Sequence, residues 1–214
     1  MTEGDQWFKS AVKLHNEKIA TPVLWIGDDR HYNNAKNFFG EEVVKQYLII
    51  RDRPYKIKDI EYNGEYLKFF NSTQYLIAKD RCLKMMDRMD LYGTFSRIDR
   101  EAYFNKIAIL SLKLIDKSGP DFLLVSEIPH AYPTYLIYQI CLYLNIPIYK
   151  FNTWNLAPLI YLQNTQTNQI IKKSNSHVTD FDKKIDDLIS NYFESMKFNP
   201  EDYKFSYMVK QKHS

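Results

Sequence analysis

The sequence predicts an α/β fold: a mainly parallel sheet with helices on both faces. Two observations carry this. Short apolar runs rich in β-formers alternate with longer stretches of helical periodicity, the pattern of successive βαβ units. The chain also has 214 residues, 45% hydrophobic and 26% charged. That is ordinary composition for a globular domain, and long enough to bury roughly 70% of its unfolded surface.

The elements follow in order. Residues 5–18 carry weak helical character, with Trp7, Val12 and Leu14 apolar. The run 22–27, Pro-Val-Leu-Trp-Ile-Gly, reads as a buried strand closed by Gly27. Asp28 and Asp29 are good N-cap types for a helix that stops at Gly40. A second strand is expected at 46–50, after which 51–74 reads as polar, aromatic and irregular. Residues 75–91 are helical, with Leu76, Leu83 and Met86 at helical spacing. Residues 97–117 form the strongest helix, broadly apolar and closed by Gly119-Pro120. The almost unbroken apolar run 121–126 is a strand, with Leu124 expected to be buried on both faces. Pro133 suits the first turn of a helix running to about Leu144. Asn145 then fits a left-handed stop before a strand at 146–150. Leu156–Leu162 offers one more strand, 164–177 is polar, and 181–193 has an amphipathic helical pattern. The organisation expected is one α/β domain over 1–163. Residues 164–214 then form a linker and a helical extension packed on that same domain.

Composition excludes several function classes. Twenty-nine basic against 26 acidic residues give a net charge of +3, too even for a dedicated nucleic-acid binder. No apolar run is long enough for a membrane span, and 1–10 lacks the pattern of a secretion signal, so the expected location is cytoplasmic. Cys82 and Cys141 sit in apolar helical patterns and read as reduced core thiols. The chain contains no G-x-G-x-x-G, no P-loop and no G-x-S-x-G elbow, and its five His and two Cys make no spaced zinc set. No cofactor is expected. The 17 Tyr and 13 Phe fit biased codon usage better than a carbohydrate-stacking surface.

Ligands of open parallel sheets bind at the edge formed by the strands' C-terminal ends. Four loops bring polar groups there: Asp28, Asp29, Arg30 and His31; Arg51 with its neighbours; Ser126, Glu127 and His130; and Asn152 with Trp154. The Asp28–Asp29 pair lacks the Asp-x-Asp spacing that converges on one ion, so helix capping is favoured and no metal is expected. Glu127 and His130 are the candidate catalytic pair. Glu127 leaves a buried strand end, where desolvation favours the neutral carboxyl. His130 precedes a helix N-terminus, whose dipole favours neutral imidazole, a competent general base. The alternatives are that Glu127 caps the helix or pairs with an Arg, and that His130 merely packs. Tyr132 and Trp154 could stack on a sugar ring, with core packing equally weighted. Arg81, Lys84, Arg88, Arg97 and Arg100 interleave with acids, so local salt bridges are favoured over phosphate contacts.

Five segments carry a resemblance: Pro22-Val-Leu-Trp-Ile-Gly-Asp-Asp-Arg-His31, Gly93-Thr-Phe-Ser-Arg-Ile-Asp-Arg-Glu101, Asp121-Phe-Leu-Leu-Val-Ser-Glu-Ile-Pro-His130, Tyr143-Leu-Asn-Ile-Pro-Ile148 and Trp154-Asn-Leu-Ala-Pro158. Over about 22–163 the chain resembles capsular-polysaccharide biosynthesis proteins, specifically the N-terminal, Rossmann-like half of a GT-B type glycosyltransferase. The resemblance implies a domain that holds a carbohydrate acceptor while a second half binds the nucleotide sugar. It places Glu127 and His130 in the cleft between the halves. A chain ending at Ser214 is expected to complete only the first half. A non-catalytic carbohydrate- or nucleotide-binding module, acting through a partner chain, is the alternative. A homo-oligomer is compatible with either.

Overall fold

In the computed structural model, the residues described are 5–27, 29–46, 64–154, 159–171, 187, 190, 191 and 194. Among them the chain is mixed α/β. The helices are α1 (Asp5–Asn16), α2 (Asp29–Phe39), α3 (Gly64–Phe70), α4 (Thr73–Met89), α5 (Arg97–Ser118) and α6 (Tyr132–Tyr143). The strands are β1 (Trp25–Gly27), β2 (Val44–Gln46), β3 (Leu123–Val125), β4 (Ile148–Trp154), β5 (Leu159–Asn164) and β6 (Ile170–Ile171). The chain divides into two units, 1–149 and 150–214.

Helix ends in the first unit follow local chemistry. Ser72 caps α4 by accepting from the Tyr75 N–H at 3.1 Å. Ser96 and Asp99 form a reciprocal capping box at the start of α5, which satisfies two otherwise orphaned backbone donors. Gly119 closes α5 at φ 54°, where a side chain would strain the backbone. Asn145 takes φ 55° after α6, the left-handed stop expected from the sequence.

The main core lies among α3, α4, α5, α6 and the start of β4. Phe69, Ala78, Cys82, Leu83, Ile107, Ala108, Leu136, Ile140 and Ile148 are fully buried in it. Helix α6 is buried on nearly all sides, consistent with its almost wholly apolar sequence. The aromatic residues pack largely against one another. Phe69, Phe70, Tyr75, Phe104 and Tyr143 form one cluster of ring contacts, and Phe8, Phe38, Phe39, Trp25 and His15 form another. Both cysteines are free and buried, as expected, and the Cys82 thiol points at the Tyr132 carbonyl at 3.2 Å.

Strand pairing is mixed. β1 and β2 pair in parallel, with Trp25 opposite Val44. β3 lies beside the start of β4, where the Leu123 N–H donates to the Pro147 carbonyl at 2.9 Å. In the second unit β4 continues, and β5 pairs antiparallel with β6. The described strands thus form two sheets, not one, and one of the pairings is antiparallel.

The second strand begins at Val44 and is described to Gln46; 47–50 lie outside the described residues. Three expectations need correction. Residues 64–70, read as irregular, form helix α3, which places Tyr66 and Phe69 in the core. Leu124 is half-buried, not buried on both faces, and it is Leu123 and Val125 of β3 that pack against the core. The polar stretch 164–177 contains a short strand, β6.

Candidate functional site

The β3–α6 loop is the one of the four expected edge loops that is described in full. β3 delivers the chain to Ser126, which is exposed, and α6 begins six residues later. Ala131 occupies the N-cap with no side-chain cap, and Pro133 sits in the first turn, where it needs no donor partner. The Tyr135 N–H and the Thr134 hydroxyl both donate to the Ala131 carbonyl, at 2.9 and 3.1 Å. These bonds fix the point where the loop enters the helix.

Within the loop, His130 Nε2 lies 3.3 Å from Glu127 Oε2. Both side chains face solvent, 73% and 67% exposed respectively. The expectation that Glu127 sits at a desolvated strand end is therefore overturned: the chain turns outward directly after Val125. His130 does not pack in the core, and Glu127 pairs with imidazole rather than with an arginine. The geometry has a chemical consequence. A proton on Nε2 directed at the carboxylate leaves Nδ1 as a hydrogen-bond acceptor.

Ile128, between these two residues, forms one wall of a cleft of about 290 Å3. The other walls come from α4 and α6: Gln74, Ile77, Arg81, Tyr135, Tyr138, Gln139 and Leu142. The Arg81 guanidinium lies 5.4 Å from the centre of the Tyr135 ring. Gln139 is buried and donates its amide to the Tyr135 hydroxyl at 2.9 Å. A cation, two phenols and two amides thus meet beside aliphatic side chains, a surface suited to a polar ligand with apolar faces. Sequence reasoning missed this cleft. Arg81 read as part of a solvated charge face and α6 as plain core. The available signal was Gln139, a polar residue within an otherwise apolar buried helix. A further hollow of about 330 Å3 is lined, among the described residues, by Phe8, Lys9, Val12, Lys13, Asn16 and Glu17, along and just after α1.

Of the remaining candidates, Tyr132 and Asn152 have described side chains. Tyr132 is 7% exposed and packs edge-on against Tyr103, with centroids 6.3 Å apart, so its ring is not presented for stacking. Asn152, in the second unit, bonds through its amide to Gln163 Oε1 across β4 and β5. Trp154 ends β4, and Asp29, Arg30 and His31 open α2; their side chains lie outside those described. Asp28 and Arg51 lie wholly outside the described residues. Among the described residues, no three of His, Cys, Asp and Glu are grouped as metal ligands.

The interleaved charges of α4 and α5 do form local pairs. Lys84 meets Asp80 at 2.9 Å, Arg97 meets Glu101 at 3.1 Å, and Lys79 meets Glu101 at 2.7 Å. Arg100 bridges Asp87 and Asp90. Arg81 is directed instead at the Tyr135 ring. No helix among the described residues is long and apolar enough to cross a membrane. Compared with family models, curated proteins and solved structures, the chain matches none.

Proposed function

We propose that this chain is the acceptor-side, Rossmann-like domain of a surface-polysaccharide glycosyltransferase, with the β3–α6 loop as its acceptor site. The observation that carries the proposal is the Glu127–His130 pair, 3.3 Å apart and open to solvent at the end of a strand. In this reading His130 Nδ1 accepts the proton of a carbohydrate hydroxyl. The hydroxyl oxygen then attacks the anomeric carbon of a nucleotide sugar, whose bond to the nucleoside phosphate breaks. Glu127 holds the imidazole and balances the imidazolium charge. The cleft lined by Arg81, Tyr135 and Gln139 receives the flanking sugar, whose C–H face suits the apolar walls and whose hydroxyls suit the amides. The nucleotide sugar belongs to a second domain, because a pyrophosphate usually rests on a Gly-rich turn and this sequence has only six Gly and no such loop.

A second reading, a carbohydrate- or nucleotide-binding module without catalysis of its own, draws support from the exposure of the pair. General bases usually act in sites that exclude water. Calorimetric titration separates the readings. Oligosaccharide acceptors should bind weakly, and His130→Ala should weaken them further. UDP-, GDP- and CMP-sugars should bind no tighter than about millimolar, on the order of 4 kcal/mol. Micromolar binding of any nucleotide sugar by the chain alone would refute the acceptor-side assignment.

A further inference from the structure

The cleft formed by α4, α6 and Ile128 carries a charge that its surroundings leave unanswered. Arg81 has no acidic partner among the described residues. The acids beside the cleft in sequence are engaged elsewhere: Asp80 meets Lys84 at 2.9 Å, and Glu127 meets His130 at 3.3 Å. No Asp or Glu is among the described residues that line the cleft, and Arg81 supplies the whole formal charge of that lining.

The cation is also seated. Its guanidinium lies 5.4 Å from the centre of the Tyr135 ring, and Tyr135 is 2% exposed. An arginine resting on a fixed ring has given up part of its rotamer freedom before a ligand arrives. Its planar fork of N–H donors remains available, and that fork matches the two oxygens of a carboxylate.

Gln139 narrows the ligand beyond a bare anion. It is 5% exposed, yet it lines the cleft. Its amide N–H donates to the Tyr135 hydroxyl at 2.9 Å, and its side-chain carbonyl accepts no hydrogen bond among the described residues. A polar group this deep ordinarily has a partner, and leaving it without one is costly. That carbonyl calls for a donor. An ionised carboxylate or phosphate has none to give, whereas a hydroxyl has. Gln74, also in the lining, can both donate and accept, and Ile77, Ile128 and Leu142 supply apolar wall. At about 290 Å3 the cleft lies at the low end of ligand sites, which suits one ring and not an extended chain.

We infer that the cleft recognises an acidic sugar, a uronic acid ring, with Arg81 on its carboxylate and Gln139 on a ring hydroxyl. The inference rests on the acceptor-site reading and deepens it, since it names the flanking sugar as acidic.

The test is an NMR titration of the full chain, following backbone and side-chain amides. The probes are methyl glucuronide, methyl glucoside (the same ring without the charge) and inorganic phosphate. The glucuronide should shift the Gln139 side-chain amide and the backbone amides of Arg81 and Tyr135. It should bind about tenfold tighter than the glucoside, as one charge-assisted contact allows, and the preference should shrink with added salt. Phosphate should bind more weakly than the glucuronide. Arg81→Gln should bring the glucuronide down to the glucoside's affinity and leave the glucoside's unchanged. Arg81 is exposed, and an unchanged melting temperature confirms that the variant folds. Equal binding of the two sugars in the cleft would overturn this inference and leave the acceptor site standing. A preference that survives Arg81→Gln, or phosphate that binds as tightly as the glucuronide, would overturn it as well. If neither sugar perturbs the cleft or the His130 ring, the acceptor reading falls with it.

Discussion

Replacing Leu136 and His130 in parallel separates what holds the fold from what forms the site. Leu136 is fully buried in α6, within the core shared with α4 and α5. Leu136→Ala removes three carbons from a close-packed interior and leaves a cavity, which costs about 2–5 kcal/mol. At roughly 2–4 °C per kcal/mol for a chain of this size, the melting temperature should fall by about 4–20 °C. His130 is 73% exposed and meets Glu127 at the surface. An exposed pair of this kind contributes little, so His130→Ala should move the midpoint by less than about 3 °C. Circular dichroism melts of the two variants and the parent chain supply the comparison. If His130→Ala destabilises as much as Leu136→Ala, the imidazole is part of the packing, and the solvent-facing pair is not a site.

Further predictions concern the charges, thiols and caps. The Asp90 carboxyl is held below the ordinary carboxylate range by the N–H groups of Phe95 and Thr94 and by Arg100; Asp99 is lowered by Ser96, and Glu101 by Lys79 and Arg97. A depressed folded value means that the stabilisation is complete above the unfolded value near 4 and is lost as pH falls below it. Asp90→Asn should therefore flatten the acid limb of stability against pH; an unchanged limb would remove Asp90 from the account. Burial pushes Cys82 and Cys141 up to about 12. Neither should react with Ellman's reagent in the folded chain at mildly alkaline pH, and both should react on unfolding. At Gly119 an added Cβ meets nothing within 4 Å, so Gly119→Ala should cost only its left-handed backbone strain, about 1 kcal/mol by denaturant titration.

The sequence was most legible where local chemistry decides. Gly119 and Asn145 announce helix ends because few other residues tolerate positive φ. The interleaved acids and bases of α4 and α5 announce their own pairing. Legibility failed where neighbours decide. Leu-Leu-Val at 123–125 is too short and too uniformly apolar to reveal which side faces the core, so Leu124 read as doubly buried. Helix α3 spans seven residues with adjacent phenylalanines, too few for a helical period to stand out from an aromatic loop. Glu127 and His130 meet because only two residues of loop separate them. Sequence reasoning gave no warning that the chain turns outward there. Nor could it show that α4 lays Arg81 over Tyr135, because that contact spans 54 positions of chain and depends on how the helices pack.

The most direct test of the proposed acceptor site is to map amide and imidazole NMR shifts during titration with oligosaccharide acceptors. The account predicts perturbations concentrated at Ser126–Ala131, including the His130 ring, and extending to Arg81, Tyr135 and Gln139. Shifts that cluster elsewhere and leave the His130 ring untouched would contradict it.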